Sequence, residues 1–283
     1  MILIAESGST KTKWYQLDDL RVLETETIGL NPNSTGEREF KVVLRTKVKP
    51  SLKGQPRKIF FYGAGCGSSK NKNRVRTFLA TVFPEAKTEV QTDLLGAARG
   101  LLGSRKGIIG ILGTGSNAGR YNGKVITVSP PSLGYILGDE GSGTWIGKKL
   151  IQSYFSGEMP SSLSRKFKDQ RAKELSKLQI ELYRNSAPAA FLGSFAPFAS
   201  ENKKHVFIKK LLQEGFRLYR DRFLMQLKPA KNATIVFTGS VAWEFKEILA
   251  PVIQEKFPVD IRFWKEPGEG LVLYHWAQSS NKR

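Results

Sequence analysis

Short apolar runs punctuated by Gly, Asp and Asn alternate along this chain with longer stretches in which apolar residues return every three or four positions. That switching between strand and helix periods predicts an α/β protein. The runs ILIAES, KWYQL and Arg21 to Ile28 read as strands, with Asp18 and Asp19 supplying a turn, so the chain opens on antiparallel pairs. KIFFYG (Lys58 to Gly63) reads as a buried strand, Asn71 to Phe83 as a helix and TEVQ as a short strand. LLGAARGLLG (Leu94 to Gly103) follows as a helix of small residues suited to close packing.

After Gly103 the pattern restarts. GIIGIL is an apolar strand, and GRYNGKVIT places Asn-Gly between two strand-like runs, a strong signal for a tight hairpin. Helical periods then cover Glu140 to Phe155, Ala172 to Tyr183 and Glu201 to Leu227. ATIVF returns to strand, TGS turns into a helix over Ala242 to Lys256, VDIRFW is a last strand, and Gly268 to Gln278 reads as helix. Two strand-plus-hairpin layouts predict a duplicated architecture of two lobes with a cleft. The expected boundaries are a first lobe over 1–103, a second over 104–267 carrying a helical insertion, and a terminal helix, 268–283, packing back on the first.

Composition narrows the chemistry. No run is long enough to span a bilayer, and the four-residue apolar start lacks a basic flank, so it reads as a strand and not a signal peptide; the expected location is the cytoplasm. One cysteine, Cys66, and two histidines, His205 and His275, allow neither a disulfide framework nor a Cys/His metal site. Any metal is then a hard ion on oxygen ligands, with Mg²⁺ the first choice. The net charge of +20 opens nucleic acid, membrane or anionic small molecules as partners. The cations read as scattered, and their densest run, SSKNKNRVR, has no aromatic residue for base stacking. The expected partner is therefore a small molecule, with no nucleic acid and no membrane.

Three glycine turns each follow an apolar strand: ESGSTKT (Glu6 to Thr12), LGTGSN (Leu112 to Asn117) and FTGSV (Phe237 to Val241). Successive backbone N–H groups in such turns cradle anions. The P-loop spacing is absent around Lys11, and YGAGCGS has Ser68 where a dinucleotide fingerprint requires its third glycine. Asp93 and Asp139 each stand just before a predicted helix. Each is either a helix cap or a functional carboxylate, a general base or a substrate-orienting group.

ESGSTKT, TDLLGAA, LGTGSN, LGYILGDEGSG and FTGSV, in this order, resemble the N-acetylglucosamine kinase and BadF/BadG/BcrA/BcrD ATPase family of the sugar kinase, Hsp70 and actin superfamily. The resemblance runs over essentially the whole chain. It implies two ribonuclease H-like, actin-like ATPase lobes closing on ATP, Mg²⁺ and an amino sugar. The implied reaction is transfer of the γ-phosphate to the 6-hydroxyl of N-acetylglucosamine, or of N-acetylmuramic acid. Ser7, Gly8, Ser9, Thr10, Lys11 and Thr12 then form a first phosphate loop, Gly113, Thr114 and Gly115 a second, and Gly239 and Ser240 an adenosine loop. Asp93 matches the catalytic base; Asn31, Gly65, Asn117 and Asp139 match the sugar site, with Asn33 an alternative to Asn31.

Glu6 departs from the family's usual aspartate as the metal-site residue, its carboxylate displaced by one methylene. Lys13 stands where relatives often carry an acid or a small polar residue, and its plain reading is an exposed strand position. A lone Cys66 reads as a small packed residue and leaves no ligand set for the iron-sulfur cluster of some relatives. A homodimer is compatible with the family. The competing expectation is a non-catalytic ATP-binding regulatory or partner-binding protein of the same fold.

Overall fold

The structure, a computed structural model, describes residues 1–18, 21–171, 174–185 and 187–280. Asp19, half of the expected first turn, Ala172, the expected start of a helix, and residues 281–283 lie outside them. The chain divides into two units. The first comprises Met1–Lys106, Tyr121–Ile126 and the chain from Glu266 onward; the second comprises Gly107–Arg120 and Thr127–Lys265.

In the first unit β1 (Ile2–Ser7), β2 (Lys11–Asp18), β3 (Arg21–Ile28), β4 (Lys58–Gly63) and β5 (Lys87–Thr92) form a sheet of order β3-β2-β1-β4-β5. The first three strands pair antiparallel, while β4 runs parallel to both β1 and β5. Leu3, Ile4 and Ala5 are wholly buried, because a central strand covered on both faces is apolar without alternation. In KIFFYG the strand period sends Phe61 to one face and Phe60 and Tyr62 to the other.

On the Phe61 face lie α1 (Glu37–Val43) and α2 (Ser69–Val82), joined through Phe40, whose ring is 5.9 Å from Phe61 and 5.3 Å from Phe78. The pattern above predicts no element where α1 lies. Its apolar stripe is only Phe40, Val43, Leu44 and Val48, diluted by charge, and it continues through a π-helical turn, Leu44–Val48, to Lys49–Ser51. α3 (Asp93–Leu102) follows β5 directly.

The second unit repeats the plan. β6 (Gly107–Leu112), β7 (Ser116–Tyr121), β8 (Ile126–Val128), β9 (Thr234–Thr238) and β10 (Asp260–Trp264) take the order β10-β9-β6-β7-β8, with β9 parallel to β6 and β10. Read from β8, that is the order of the first sheet, with β6 in the place of β1 and β9 in that of β4. Each unit is thus a five-stranded mixed sheet with flanking helices, the ribonuclease H-like plan expected from the sequence.

Between β8 and β9 run α4 (Gly143–Phe155), α5 (Ser161–Gln170), α6 (Leu175–Arg184) and α7 (Val206–Tyr219), with short helices at Gly134–Leu137, Pro188–Gly193 and Ala196–Glu201. The helix expected from Glu140 starts three residues later: Ser142 caps it, and Asp139 and Gly141 both have positive φ. The helix expected from Glu201 starts at Val206, where the His205 ring accepts the Phe207 N–H. The expected helix over Ala242 to Lys256 is two, α8 (Ser240–Glu244) and α9 (Lys246–Gln254), broken at Phe245.

Last comes α10 (Gly268–Ser280), which belongs to the first unit. Gly100 of α3 and Gly270 of α10 let the two backbones touch, since a Cβ on either would overlap the other helix. His275 of α10 stacks on Phe60 at 3.9 Å and meets the Tyr62 hydroxyl at 2.9 Å. Arg99 donates to that hydroxyl at 2.7 Å, so Tyr62 in turn donates to His275. Burial, then the Arg99 charge, holds the His275 ring down at about 3, a neutral acceptor. No helix of the described residues is long and apolar enough to cross a membrane.

Candidate active site

The first glycine turn joins β1 to β2, and its two flanking hydroxyls point inward. Ser7 Oγ and Thr12 Oγ1 lie 2.8 Å apart, both buried, and each accepts the Leu30 N–H at 3.1 Å. These two side chains fasten the turn to the segment after β3. Gly29 completes the fastening through an N–H bond to Thr10 O at 2.9 Å, and a Cβ there would strike Ser9. Gly8 closes the turn on Lys11 O at 2.9 Å. What the turn presents is the stretch Gly8 to Thr10.

Lys11 and Lys13 leave the turn along β2 and meet the two oxygens of one carboxylate, Glu266, at 2.6 Å each. Lys13 also pairs with Glu24 at 2.8 Å. Its side chain is only 16% exposed, which corrects the expectation of an exposed strand position. Glu266 was invisible to sequence reasoning, since its partners lie at the other end of the chain and KEPGEG carries no local signal of them.

Asp93 opens α3, yet the N-cap is Thr92, whose Oγ1 accepts the Leu95 N–H at 3.2 Å. The capping alternative for Asp93 is thereby removed. Asp93 Oδ1 accepts the Leu94 N–H at 2.8 Å. Burial raises its carboxyl to about 6 against the opposing pull of the Leu94 and Asp93 N–H groups. Glu6, near the end of β1, is raised to about 7, by burial first and then by the charges of Glu266 and Asp93. The Asp93 charge helps to raise Glu6 while Lys11 and Lys13 pull it down, so two acids lie within electrostatic reach at a poorly solvated spot.

Mg²⁺ is the ion the family implies, and these residues suit it. Carboxylate oxygens of neighbouring acids are the chemistry a hard cation takes. No group of three or more His, Cys, Asp or Glu side chains gathers as a metal cage among the described residues.

Beside the first turn stand the residues expected at the sugar. Asn31 donates to Ser9 Oγ at 3.3 Å and accepts the Asn33 N–H at 2.9 Å. Gly65 has a φ of +79°, and a Cβ would fall on Asn31 Oδ1 and lie 3.1 Å from Asn33 Nδ2. Asn71, in the first turn of α2, donates to Asn33 Oδ1 at 2.7 Å and Gly65 O at 2.8 Å. Asn31, Asn33 and Gly65 therefore come together, with Asn71 an unforeseen tie between them. Cys66 is fully buried, as a small packed residue.

In the second unit the other two glycine turns meet. β6 and β9 are parallel neighbours, so the turns at their ends lie side by side, and Gly239, with φ +104°, sits against Leu112 O and Gly113 N. Ser240 then opens α8. Gly113 O and Thr114 O accept the Gly143 and Thr144 N–H groups at 2.8 and 3.1 Å, tying the second turn to the start of α4.

Asp139, in the left-handed region at φ 58°, accepts the Ser116 N–H at 3.1 Å, and a Cβ on Gly115 would lie 3.1 Å from both its carboxylate oxygens. Burial and the neighbouring Glu140 raise its carboxyl, while the Ser116 N–H lowers it. Asn117 is adjacent, its amide oxygen accepting the Ala118 N–H at 2.8 Å and its carbonyl the Tyr219 hydroxyl at 3.0 Å. Ser116 Oγ is buried with no hydrogen-bond partner among the described residues. This buried hydroxyl stands beside Asp139 and Asn117, and the sequence reading gave it no role of its own.

No protein-family model matches the chain. A solved structure of a "putative N-acetylglucosamine kinase" from Porphyromonas gingivalis is 34% identical, with a TM-score of 0.91 over 99% of this chain and 100% of that one. Another so described, from Chromobacterium violaceum, is 20% identical with a TM-score of 0.73 over 96% and 98% of the two chains, a likeness of fold. A curated relative from Clostridium acetobutylicum, named N-acetylmuramic acid/N-acetylglucosamine kinase, is 31% identical over 156 residues, 52% of this chain and about half, 51%, of the relative. The repeated sheet order, the three glycine turns at strand ends and the full-length match agree: the chain belongs to the N-acetylglucosamine kinase family.

Proposed function

We propose that the protein is an ATP-dependent amino-sugar kinase that phosphorylates the 6-hydroxyl of N-acetylglucosamine, with N-acetylmuramic acid as second substrate. The observation that carries the reading is Asp93, released from capping by Thr92 and placed within electrostatic reach of Glu6. Phosphoryl transfer asks a protein mainly for positioning and charge neutralisation. Asp93 accepts the proton of the attacking hydroxyl; the Gly8 to Thr10 turn and the paired turns at Gly113 and Gly239 offer backbone N–H groups to phosphate. Glu6, with Asp93 within electrostatic reach, would hold Mg²⁺, which when bound would supply positive charge to the phosphates. Asn31 of the first unit, and Asn117 and Asp139 of the second, are the side chains we assign to the hydroxyl and acetamido groups of the sugar.

The test is ADP release in the presence of N-acetylglucosamine, N-acetylmuramic acid, glucosamine or glucose. Turnover highest with the N-acetylated sugars supports the proposal. ATP binding with no sugar-dependent turnover overturns it in favour of a non-catalytic nucleotide-binding protein.

The pH profile is a second test. A base must be ionised to accept a proton, so with Asp93 at about 6 the kcat/KM is expected to be flat above that pH and to fall about tenfold per unit below it. A profile flat down to the ordinary aspartate range removes Asp93 as the base.

Glu6→Gln keeps the side chain's shape and deletes a carboxyl whose ionisation the fold opposes. For an acid with a raised folded pKa the penalty is complete above the folded value, about 7, and vanishes below the ordinary glutamate range. The variant is expected to melt higher than the parent above pH 7 and equally at acid pH, while its Mg²⁺ requirement for turnover rises about tenfold or more. An unchanged Mg²⁺ requirement removes Glu6 from the metal site.

A further inference from the structure

Half of the chain's net charge has no part in this chemistry. Residues 37–87 hold thirteen Lys and Arg against three Glu, a net +10 of the total +20. In the sequence these cations look dispersed, but the sheet collects many of them. β1, β4 and β5 run parallel, in register from Ile2, Lys58 and Lys87 to Ser7, Gly63 and Thr92. The glycine turn, Gly65 and Asp93 lie at the strand ends. Lys58 and Lys87 lie at the strand starts, roughly 17 Å away at about 3.3 Å per residue.

Arg57 joins them, its N–H bonded to Met1 O and its carbonyl accepting the Lys87 N–H, both at 3.0 Å. Lys53 is brought there by an N–H bond of 3.0 Å to Gln16, which pairs with Leu3. Lys47 and Lys49, on the last turns that continue α1, complete a group of six exposed cations. Among the described residues none of the six forms an ion pair, and Asp18 and Glu85 are the acids at this end.

We propose that this end of the first unit is an electrostatic docking surface for an anionic lipid bilayer. Five of the six cations are lysines, mobile point charges suited to a fluid layer of phosphates and poorly suited to the bidentate contacts that arginine makes with nucleic acid. Among the described residues the one exposed large apolar side chain between Glu37 and Lys87 is Val42, and Val22 is exposed opposite Leu17 at this end of the sheet; two short valines make no wedge for acyl chains, and no ring stacks on a base. Attachment is therefore reversible and salt-sensitive. It leaves the opposite end of the same strands, with Asp93 and the glycine turn, open.

The experiment is co-sedimentation of the full chain with vesicles of phosphatidylcholine alone or mixed with phosphatidylglycerol, at low and high salt. Binding is expected only to the mixed vesicles, and salt releases it. The triple change K47Q/K49Q/K53Q is expected to weaken partitioning about 100-fold, and K58Q/K87Q, a second variant at the strand starts, in proportion. K209Q/K210Q/K256Q, which removes equal charge from exposed sites of the second unit, is expected to bind as the parent does. Turnover in solution stays unchanged in all three. Equal loss in the two triple variants overturns the proposal, since net charge alone would then act. Equal binding to neutral vesicles overturns it, as does tighter, vesicle-displacing binding of duplex DNA.

Discussion

Asp93→Asn is expected to lower turnover by roughly 10²–10⁴-fold, the range a positioned general base supplies, while the affinity for ATP changes little. The asparagine keeps the oxygen that accepts the Leu94 N–H, and Thr92 still caps α3, so neither the helix nor the residues around it lose a bond. What disappears is the capacity to take a proton. The check is kcat from ADP release together with ATP affinity from equilibrium titration. Turnover within tenfold of the parent would leave Asp93 as an acid whose charge merely suits the first turn of a helix.

The second large effect is expected at Gly239. Its φ of +104° is a conformation that side chains rarely adopt, and a Cβ there would overlap Leu112 O and lie 3.1 Å from Gly113 N. Both are backbone atoms of the neighbouring turn and have no rotamer by which to yield. Gly239→Ala is expected to cost about 3 kcal/mol or more, read as a fall in the denaturation midpoint, and to raise the KM for ATP by deforming both turns of the second unit.

Gly113→Ala is the informative partner, because nothing lies within 4 Å of a Cβ at that position and its φ is not positive. That variant is expected to fold with near-parental stability, its cost appearing in nucleotide affinity alone. If Gly113→Ala binds ATP as well as the parent does, the second turn has no close approach to phosphate.

The strands were legible because their physics is local. ILIAES and KIFFYG carry unbroken apolar runs, which only a strand covered on both faces tolerates. α1 was not, since four apolar residues among charges give a weak stripe that becomes persuasive only when Phe61 and Phe78 are known to flank Phe40. The three glycine turns could be read one by one, but that Gly239 lies on Gly113 depends on β9 pairing with β6, a long-range fact.

Roles shifted by a single residue for the same reason. Thr92 and Asp93 are both good caps, and only the backbone decides that the threonine takes the post. The inward bonds of Ser7 and Thr12 to Leu30 could not be read from the turn alone, because Leu30 lies beyond β3. Glu266 had no signal at all, because an ion pair with the opposite end of a chain leaves no spacing to recognise.

α10 carries a consequence for how the protein is made. Residues 268–280 are synthesised after the whole of the second unit, yet His275 stands on Phe60 and Tyr62, and Gly270 on Gly100, of the first. On the ribosome the first unit therefore waits with the Phe60 and Tyr62 face of its sheet covered by α3 but not by α10, while the second, almost contiguous in sequence, completes its own core. The earliest-made half of the protein is the last to finish folding.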